Sequence, residues 1–197
     1  MSAGASPNFV RLAQLRRLRE CEQVAAVCYR VRDGDEIEFL LVQTRGGRWT
    51  FPKGSSEPGL THAQAAALEA FEEAGVHGRM EEAAFTRYTY RKRDSARNSG
   101  AAEMMVSAHL CEVLRLEAPE ESNRNPTWFS ADKAKLCFRE DHASGSGAEL
   151  ARVVARAVRR IRQREASAPA EGRREAEIID IDRLRKTASR VRTFRNG

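Results

Sequence analysis

The chain has 197 residues, of which 41% are hydrophobic, and it carries a formal net charge of +6. This length fits one core domain with extensions, and no apolar run is long enough for a membrane span or a signal peptide. Its four cysteines, Cys21, Cys28, Cys111 and Cys137, lack the spacing of a metal site, so we expect a reducing, cytoplasmic location.

Hydrophobic patterning predicts strands and helices that alternate along the chain. The predicted strands are 23–32, 36–44, 84–92, 104–116 and 127–129, and the predicted helices are 62–74, 131–137 and 148–165. The turn residues Asp33, Gly34 and Asp35 join the first two strands as a hairpin, and polar residues 93–100 join the third and fourth. The fold class is therefore α/β with a mixed sheet, because a hairpin requires antiparallel pairing.

Charge is distributed unevenly between the core and its flanks. Residues 21–147 carry 16 Lys and Arg against 20 Asp and Glu, a net charge of −4, so the flanks together hold +10. We divide the chain into a basic arm (1–20), a core domain (21–142), a linker with a closing helix (143–165) and a flexible basic tail (166–197), in which 178–184 has local helix or strand character. The flanks leave binding of nucleic acid open without requiring it.

The first predicted helix places three carboxylates on one face. Thr61 and Gln64 have the spacing of a capping box at its start, and Gly75 is a typical stop after its end. Glu69, Glu72 and Glu73 stand at i, i+3 and i+4, where side chains are neighbours and like charges repel. A bound Mg²⁺, which prefers oxygen ligands, would offset this repulsion.

The helix and the loop before it resemble a known motif. Residues 54–76 follow the box of the Nudix hydrolases, G-x5-E-x7-R-E-U-x-E-E-x-G-U, where U is a bulky aliphatic residue, and residues 49–54 (WTFPKG) resemble its usual lead-in. The resemblance covers roughly residues 21–161 and implies the α/β/α sandwich of that family, with a mixed sheet between helices. Within the family, the strands and the loop are most similar to the diphosphoinositol polyphosphate phosphohydrolases.

The resemblance also implies the chemistry, which is metal-assisted hydrolysis of a diphosphate. Glu72 and Glu73 would hold Mg²⁺, or Mn²⁺, with Glu69 in support, and Glu73 and Glu69 would be the catalytic carboxylates. We expect Glu73 to lie nearest the attacking water and to act as the general base. Glu103 is the alternative base, since some members of the family carry the base outside the box.

A substrate rich in phosphate needs cations around it. Lys53 and Gly54 adjoin the carboxylates, and Arg45 and Arg48 flank the approach to them. Arg91 and Lys92 belong to a basic segment that either grips distant phosphates or is a solvated loop. With these cations we expect a small-molecule phosphoanhydride substrate that is highly phosphorylated, either a diphosphoinositol polyphosphate or a dinucleoside polyphosphate.

Two positions depart from the box and keep other functions open. Leu60 stands where the family has its first Glu, and Leu68 stands where it has the Arg that orients a catalytic Glu. We expect Leu60 to weaken metal binding and Leu68 to leave Glu69 without its usual guide. The alternatives are hydrolysis of a nucleoside diphosphate sugar or an RNA 5′ end, and a weakly active domain that binds phosphorylated ligands or RNA.

Overall fold

The computed structural model describes residues 22–92, 102–141, 145–167 and 176–195. Its strands are β1 (Glu22–Arg32), β2 (Glu36–Gln43), β3 (Trp49–Thr50), β4 (Lys53–Ser55), β5 (Val76–Glu81), β6 (Thr86–Lys92), β7 (Ala102–Leu116), β8 (Thr127–Ser130) and β9 (Ala176–Ile178). Its helices are α1 (His62–Ala74), α2 (Ala131–Asp141), α3 (Ser146–Ser167) and α4 (Ile181–Arg195).

The strands form one mixed sheet around β1 and β7. The main order is β3-β2-β1-β7-β5-β9, while β4 pairs with β1, β6 with β7 and β8 with β2. β1 runs antiparallel to β2 and parallel to β7, with Val24 opposite Ser107. The predicted hairpin is confirmed, since Gly34 and Asp35 adopt positive φ angles of 85° and 59° between β1 and β2. The sheet is therefore mixed, as predicted.

Two apolar clusters lie on opposite faces of this sheet. Along β1, Val24, Ala26 and Cys28 belong to one cluster, and Ala25, Val27 and Tyr29 belong to the other. This alternation follows from the two-residue period of a strand that is buried on both faces. Ala66 of α1 and Leu184 of α4 join the first cluster, whereas Phe138 of α2 and Val154 of α3 join the second. Helices thus cover both faces, which confirms the α/β/α sandwich.

The ends of α1 are fixed by the residues that the sequence indicated. The Thr61 side chain accepts a hydrogen bond from the Gln64 backbone, and the Gln64 side chain accepts one from the Thr61 backbone. Gly75 ends the helix in the left-handed region, at φ 66°. Its carbonyl accepts a hydrogen bond from the Glu117 N–H at 2.8 Å, which brings residues 117–126 beside the last turn of α1.

Other predictions meet different outcomes. The flexible tail is wrong for residues 176–195, because β9 pairs with β5 and α4 packs on the α1 face of the sheet. β5 was not expected as a strand at all. The predicted arm 1–20, the connection 93–100 and residues 168–175 of the predicted tail lie outside the described residues. None of the helices in the described ranges is both long and apolar enough to cross a membrane.

Candidate active site

The site begins where β4 passes the middle of α1. β4 pairs with β1, and Gly54 stands opposite Val24. The Glu69 carboxylate occupies the space on Gly54 where any other residue would carry its Cβ, so a side chain there would collide with it. Glycine is therefore required at position 54 so that the Glu69 side chain can lie beside the strand. This explains why the motif begins with a glycine.

Glu73, one turn further along α1, is the most buried carboxylate of the site. Only 4% of its side chain is exposed. Its Oε2 accepts a hydrogen bond from the Lys53 backbone N–H at 3.2 Å, and its Oε1 forms an ion pair with Arg124 Nη2 at 2.6 Å. Sequence reasoning expected Lys53 and Glu73 to lie together, but it did not identify Arg124.

Arg124 belongs to the loop formed by residues 117–126, which also brings Glu121 to the site. The Glu121 N–H donates to the Glu72 carbonyl at 2.9 Å, and Arg124 Nε donates to Glu121 Oε2 at 2.5 Å. The only local signal for these two residues is that they lie in a polar loop between β7, which pairs with β1, and β8, which pairs with β2. No periodicity marks them, so sequence reasoning missed both.

The electrostatics of Glu69 and Glu73 reflect negative charge gathered in a sheltered place. Burial raises the pKa of Glu69 to about 8, and the charges of Glu73, Glu72 and Glu121 raise it as well. Burial raises the pKa of Glu73 to about 7, although Arg124 and Lys53 oppose that rise. The positive charge near each carboxylate is therefore too small to offset the effect of burial and keep its pKa at the ordinary value.

A hard divalent cation is the chemical complement of this arrangement. Carboxylate oxygens are the ligands that Mg²⁺ prefers, and a cation among Glu69, Glu72, Glu73 and Glu121 would reverse the pKa shifts described above. In the part of the chain that the structure describes, no three His, Cys, Asp or Glu side chains already stand in a metal-holding arrangement. The donor chemistry of these carboxylates fits the cation.

The remaining predicted residues lie at increasing distance from the carboxylates. Arg45 and Arg48 are exposed in the turn after β2, next to Gln43, whose N–H donates to the Arg124 carbonyl at 2.6 Å. Arg91 and Lys92 close β6, with Arg91 opposite Glu103 of β7 in the register. Glu103 thus stands opposite a basic residue of β6 in the register, and its role as the alternative base stays a prediction.

The two departures from the box place leucines at covered positions. Leu68 is 3% exposed, and Leu60 packs against the apolar cluster on the α1 face. A charged side chain at position 68 would be buried in this protein, which is costly without a partner. The guanidinium beside the carboxylates therefore comes from Arg124 on the loop and not from the helix.

Comparison with known proteins decides the family. The family model described as NUDIX domain matches residues 22–150. The chain belongs to the Nudix family. The match begins at β1 and ends within α3, so β9 and α4 lie beyond it.

Curated relatives and solved structures agree with this Nudix assignment. Nudix hydrolase 21, chloroplastic, of Arabidopsis thaliana is 33% identical over 113 residues, which are 55% of this chain and 54% of that protein. The asymmetrical bis(5'-nucleosyl)-tetraphosphatase of Sus scrofa is 50% identical over 46 residues, 22% of this chain and 31% of that protein. The chain thus spans about half the length, or less, of the curated relatives it matches.

A crystal structure of a C. elegans Ap4A hydrolase binary complex has the same fold. Its TM-score is 0.52 at 22% sequence identity, and the alignment covers 73% of this chain and 98% of the other. A second structure of C. elegans Ap4A hydrolase gives the same TM-score at 23% identity. At these identities the likeness supports the Nudix fold and carries no statement about substrate.

The packing of Glu69 on Gly54 generates a first prediction. Gly54→Ala forces the Glu69 carboxylate away from β4, and we expect kcat of any hydrolysis to fall by roughly 10–100-fold, as for small misplacements of catalytic groups. The melting temperature should change little, because only the end of a flexible side chain has to move. Gly46→Ala is the control, since open space surrounds Gly46 apart from Thr44. Normal kcat in Gly54→Ala would separate Glu69 from the chemistry.

The raised pKa values generate a second prediction, on stability. The folded protein holds protons on Glu69 and Glu73 more tightly than the unfolded chain does. The protonated carboxyl groups therefore contribute to the free energy of unfolding at low pH, and this contribution is lost as pH rises from about 4.5 through about 8. In chelator, the melting temperature should therefore fall between pH 6 and pH 9 by several degrees, at roughly 2–4 °C per kcal/mol for a domain of this size. Glu69→Gln should flatten the fall, whereas exposed Glu165→Gln should not. A melting temperature that rises over this interval would contradict the assignment.

Proposed function

We propose that this Nudix protein is a divalent-cation-dependent hydrolase that cleaves a phosphoanhydride bond in a dinucleoside polyphosphate. The observation that carries the proposal is the set of carboxylates at one end of β4, where Glu69 and Glu73 have pKa values raised to about 8 and about 7. Crowded carboxylates beside the cation of Lys53 suit a site for a metal ion and a phosphorylated substrate.

Each residue has a role that follows from its position. Glu69, Glu72 and Glu73 would hold Mg²⁺ or Mn²⁺, which supplies neutralisation of phosphate oxygens and acidification of a bound water. The Glu73 carboxylate takes the proton of the attacking water as the general base, because it is the carboxylate that both Arg124 and the Lys53 N–H hold in a fixed orientation. The Lys53 N–H orients Glu73 through Oε2, and its ammonium lies close enough to lower the pKa of Glu69.

The choice of substrate rests on the relatives and on the cations. The Sus scrofa relative is named for a dinucleoside tetraphosphate, and its 50% identity over 46 residues supports a similar substrate here. Exposed Arg45 and Arg48 add positive charge near the carboxylates. A diphosphoinositol polyphosphate, which the sequence also indicated, carries even more phosphate and belongs in the same test panel.

The sheet gives a length scale for that substrate. Gly54, Val24, Ser107 and Arg87 lie opposite one another across four adjacent strands. At about 4.8 Å per strand, Arg87 is roughly 14 Å from Gly54, and Arg91, four residues further along β6, is roughly 20 Å away. Only an extended substrate with phosphates beyond the scissile bond reaches from the carboxylates to the end of β6.

The proposed compartment is supported by the cysteines. Cys28, Cys111 and Cys137 have free thiols, and Cys28 lies opposite Cys111 on paired strands. Neighbouring free thiols support a reducing environment such as the cytoplasm.

The decisive experiment is a panel of purified substrates assayed with Mg²⁺. Dinucleoside polyphosphates, diphosphoinositol polyphosphates, nucleoside diphosphate sugars and RNA with a 5′ triphosphate should be compared by kcat/KM. We expect the dinucleoside polyphosphates to rank first. Activity on none, together with saturable binding of one class, would favour a binding domain whose chemistry was lost with the changes at Leu60 and Leu68.

A third prediction concerns the metal and the glutamates. Glu72→Gln and Glu73→Gln keep the side-chain shape but remove a charged oxygen ligand, and Glu73→Gln also removes the base. We expect each variant to lose at least about 100-fold in kcat, as for loss of a general base or a metal ligand. Excess chelator should abolish activity of the unchanged protein. Full activity of both variants, or in chelator, would exclude this mechanism.

A fourth prediction tests the reach of the substrate. Replacing Arg91 and Lys92 with Ala should raise KM for a dinucleoside polyphosphate, because distant phosphates lose their cations, and should leave KM for ADP-ribose nearly unchanged. Replacing exposed Arg159 and Arg162 of α3 is the matched loss of two charges. Equal losses for both substrates would indicate a general defect, and no loss for either would make the end of β6 a solvated basic segment.

A further inference from the structure

Arg124 is held in a single position by contacts on several sides. Nη2 pairs with Glu73 Oε1 at 2.6 Å, Nε donates to Glu121 Oε2 at 2.5 Å, and Nη1 approaches the Gln43 carbonyl at 3.5 Å. Its side chain is 19% exposed. Long arginine side chains lose considerable rotamer entropy when fixed, so an arginine with this many acceptors is well defined in direction.

The backbone around Arg124 is fixed as firmly as its side chain. The Arg124 N–H donates to the Glu121 carbonyl at 3.2 Å, and its carbonyl accepts from the Gln43 N–H at 2.6 Å. Asn125 follows in the left-handed region at φ 47°, and its amide contacts Gln43 Oε1 at 3.4 Å. The loop is thus bonded to β2 at one end and, through the Glu121 N–H on Glu72, to α1 at the other.

We propose that Arg124 is a positioning residue that fixes the Glu73 carboxylate for catalysis, and that Glu121 holds Arg124 in place. Glu73 then has one oxygen tied to Arg124 and the other to the Lys53 N–H, so rotation of the carboxylate about its last bond is blocked. This role rests on the proposed function, because it matters for turnover only if Glu73 takes part in hydrolysis.

The competing role for Arg124 is direct contact with a substrate phosphate. The surroundings oppose it, because the guanidinium already serves the carboxylates of Glu73 and Glu121. Leaving them would strand a nearly buried Glu73 without its ion pair, and an unpaired buried charge is costly. Exposed Arg45 and Arg48 are better placed for phosphate, since neither has to leave such a pair.

Steady-state kinetics distinguish the two roles. Arg124→Gln should lower kcat by about 10–100-fold, as for loss of a partner that orients a ligand or a catalytic group, and KM should stay within about twofold. Arg124→Lys should recover part of kcat, because it keeps the charge but not the fork. Arg152→Gln removes an exposed arginine that pairs with Glu149 on α3 and should match the unchanged protein. A raised KM with unchanged kcat would overturn the proposal in favour of phosphate binding.

A second measurement needs no substrate and no metal. Melting temperatures in chelator should be compared for Glu73→Gln, Arg124→Gln and the double variant. If the pair is coupled as the structure shows, the loss in the double variant is smaller than the sum of the two single losses. Additive losses would overturn the fixed pairing. This result does not depend on the substrate panel. If Glu73 and Arg124 are coupled in stability but no substrate of the panel is turned over, the proposed function is refuted and the pairing stands.

Discussion

Glu69 and Glu73 repel each other from successive turns of α1, and the rest of the site is arranged around that repulsion. Burial makes it stronger, because the interior screens charge less than water does. The repulsion is partly offset by the Lys53 ammonium and N–H on one side and by Arg124 on the other. Even with these cations, burial keeps the pKa values of Glu69 and Glu73 raised, so an added positive charge would stabilise the ionised carboxylates.

The same constraint explains why the 117–126 loop is tied down. A loop that carries Arg124 into a carboxylate cluster must hold it at hydrogen-bonding distance, since the attraction is lost if the guanidinium is solvated. The loop is bonded to α1 through Gly75 and Glu72, and to β2 through Gln43. A further contact comes from outside the matched domain, because Arg185 of α4 pairs with Glu120 at 2.7 Å and its guanidinium lies over the Phe71 ring at 5.6 Å. The segment beyond the Nudix match therefore contacts and supports the loop that carries Glu121 and Arg124 to the candidate site.

Sequence reasoning succeeded where structure depends on neighbours along the chain. The capping box of Thr61 and Gln64, the stop at Gly75 and the turn at Gly34 are local, and each was found in place. The Glu69, Glu72 and Glu73 spacing was equally local. β5 was missed because its short sequence has no clear alternation. Its Gly78 is explained only by β7, where a Cβ would collide with the Glu112 carbonyl and the Cys111 thiol.

The missed residues share a different property. Glu121 and Arg124 acquire a role only after β7 and β8 bring their loop back to α1, and nothing in the composition of that loop distinguishes them from solvated polar residues. The tail failed for a similar reason. Its Arg-rich composition predicted flexibility, but Ile181 and Leu184 of α4 are each 5% exposed and belong to the apolar cluster on the α1 face of the sheet. The composition of a segment averages over all its residues, whereas the packing of α4 on the sheet depends on a few apolar side chains.

Leu60 and Leu68 illustrate how a site can keep its charge while its motif changes. Electrostatic interaction depends on the distance between charges and on their burial, and is indifferent to which segment carries them. Positions 60 and 68 carry leucines in this chain, whereas a carboxylate and a guanidinium reach the surroundings of Glu73 from the 117–126 loop as Glu121 and Arg124. Leu60 packs against the apolar cluster on the α1 face, and Leu68 is buried. Part of the charge around Glu73 thus comes from residues that lie outside the linear motif.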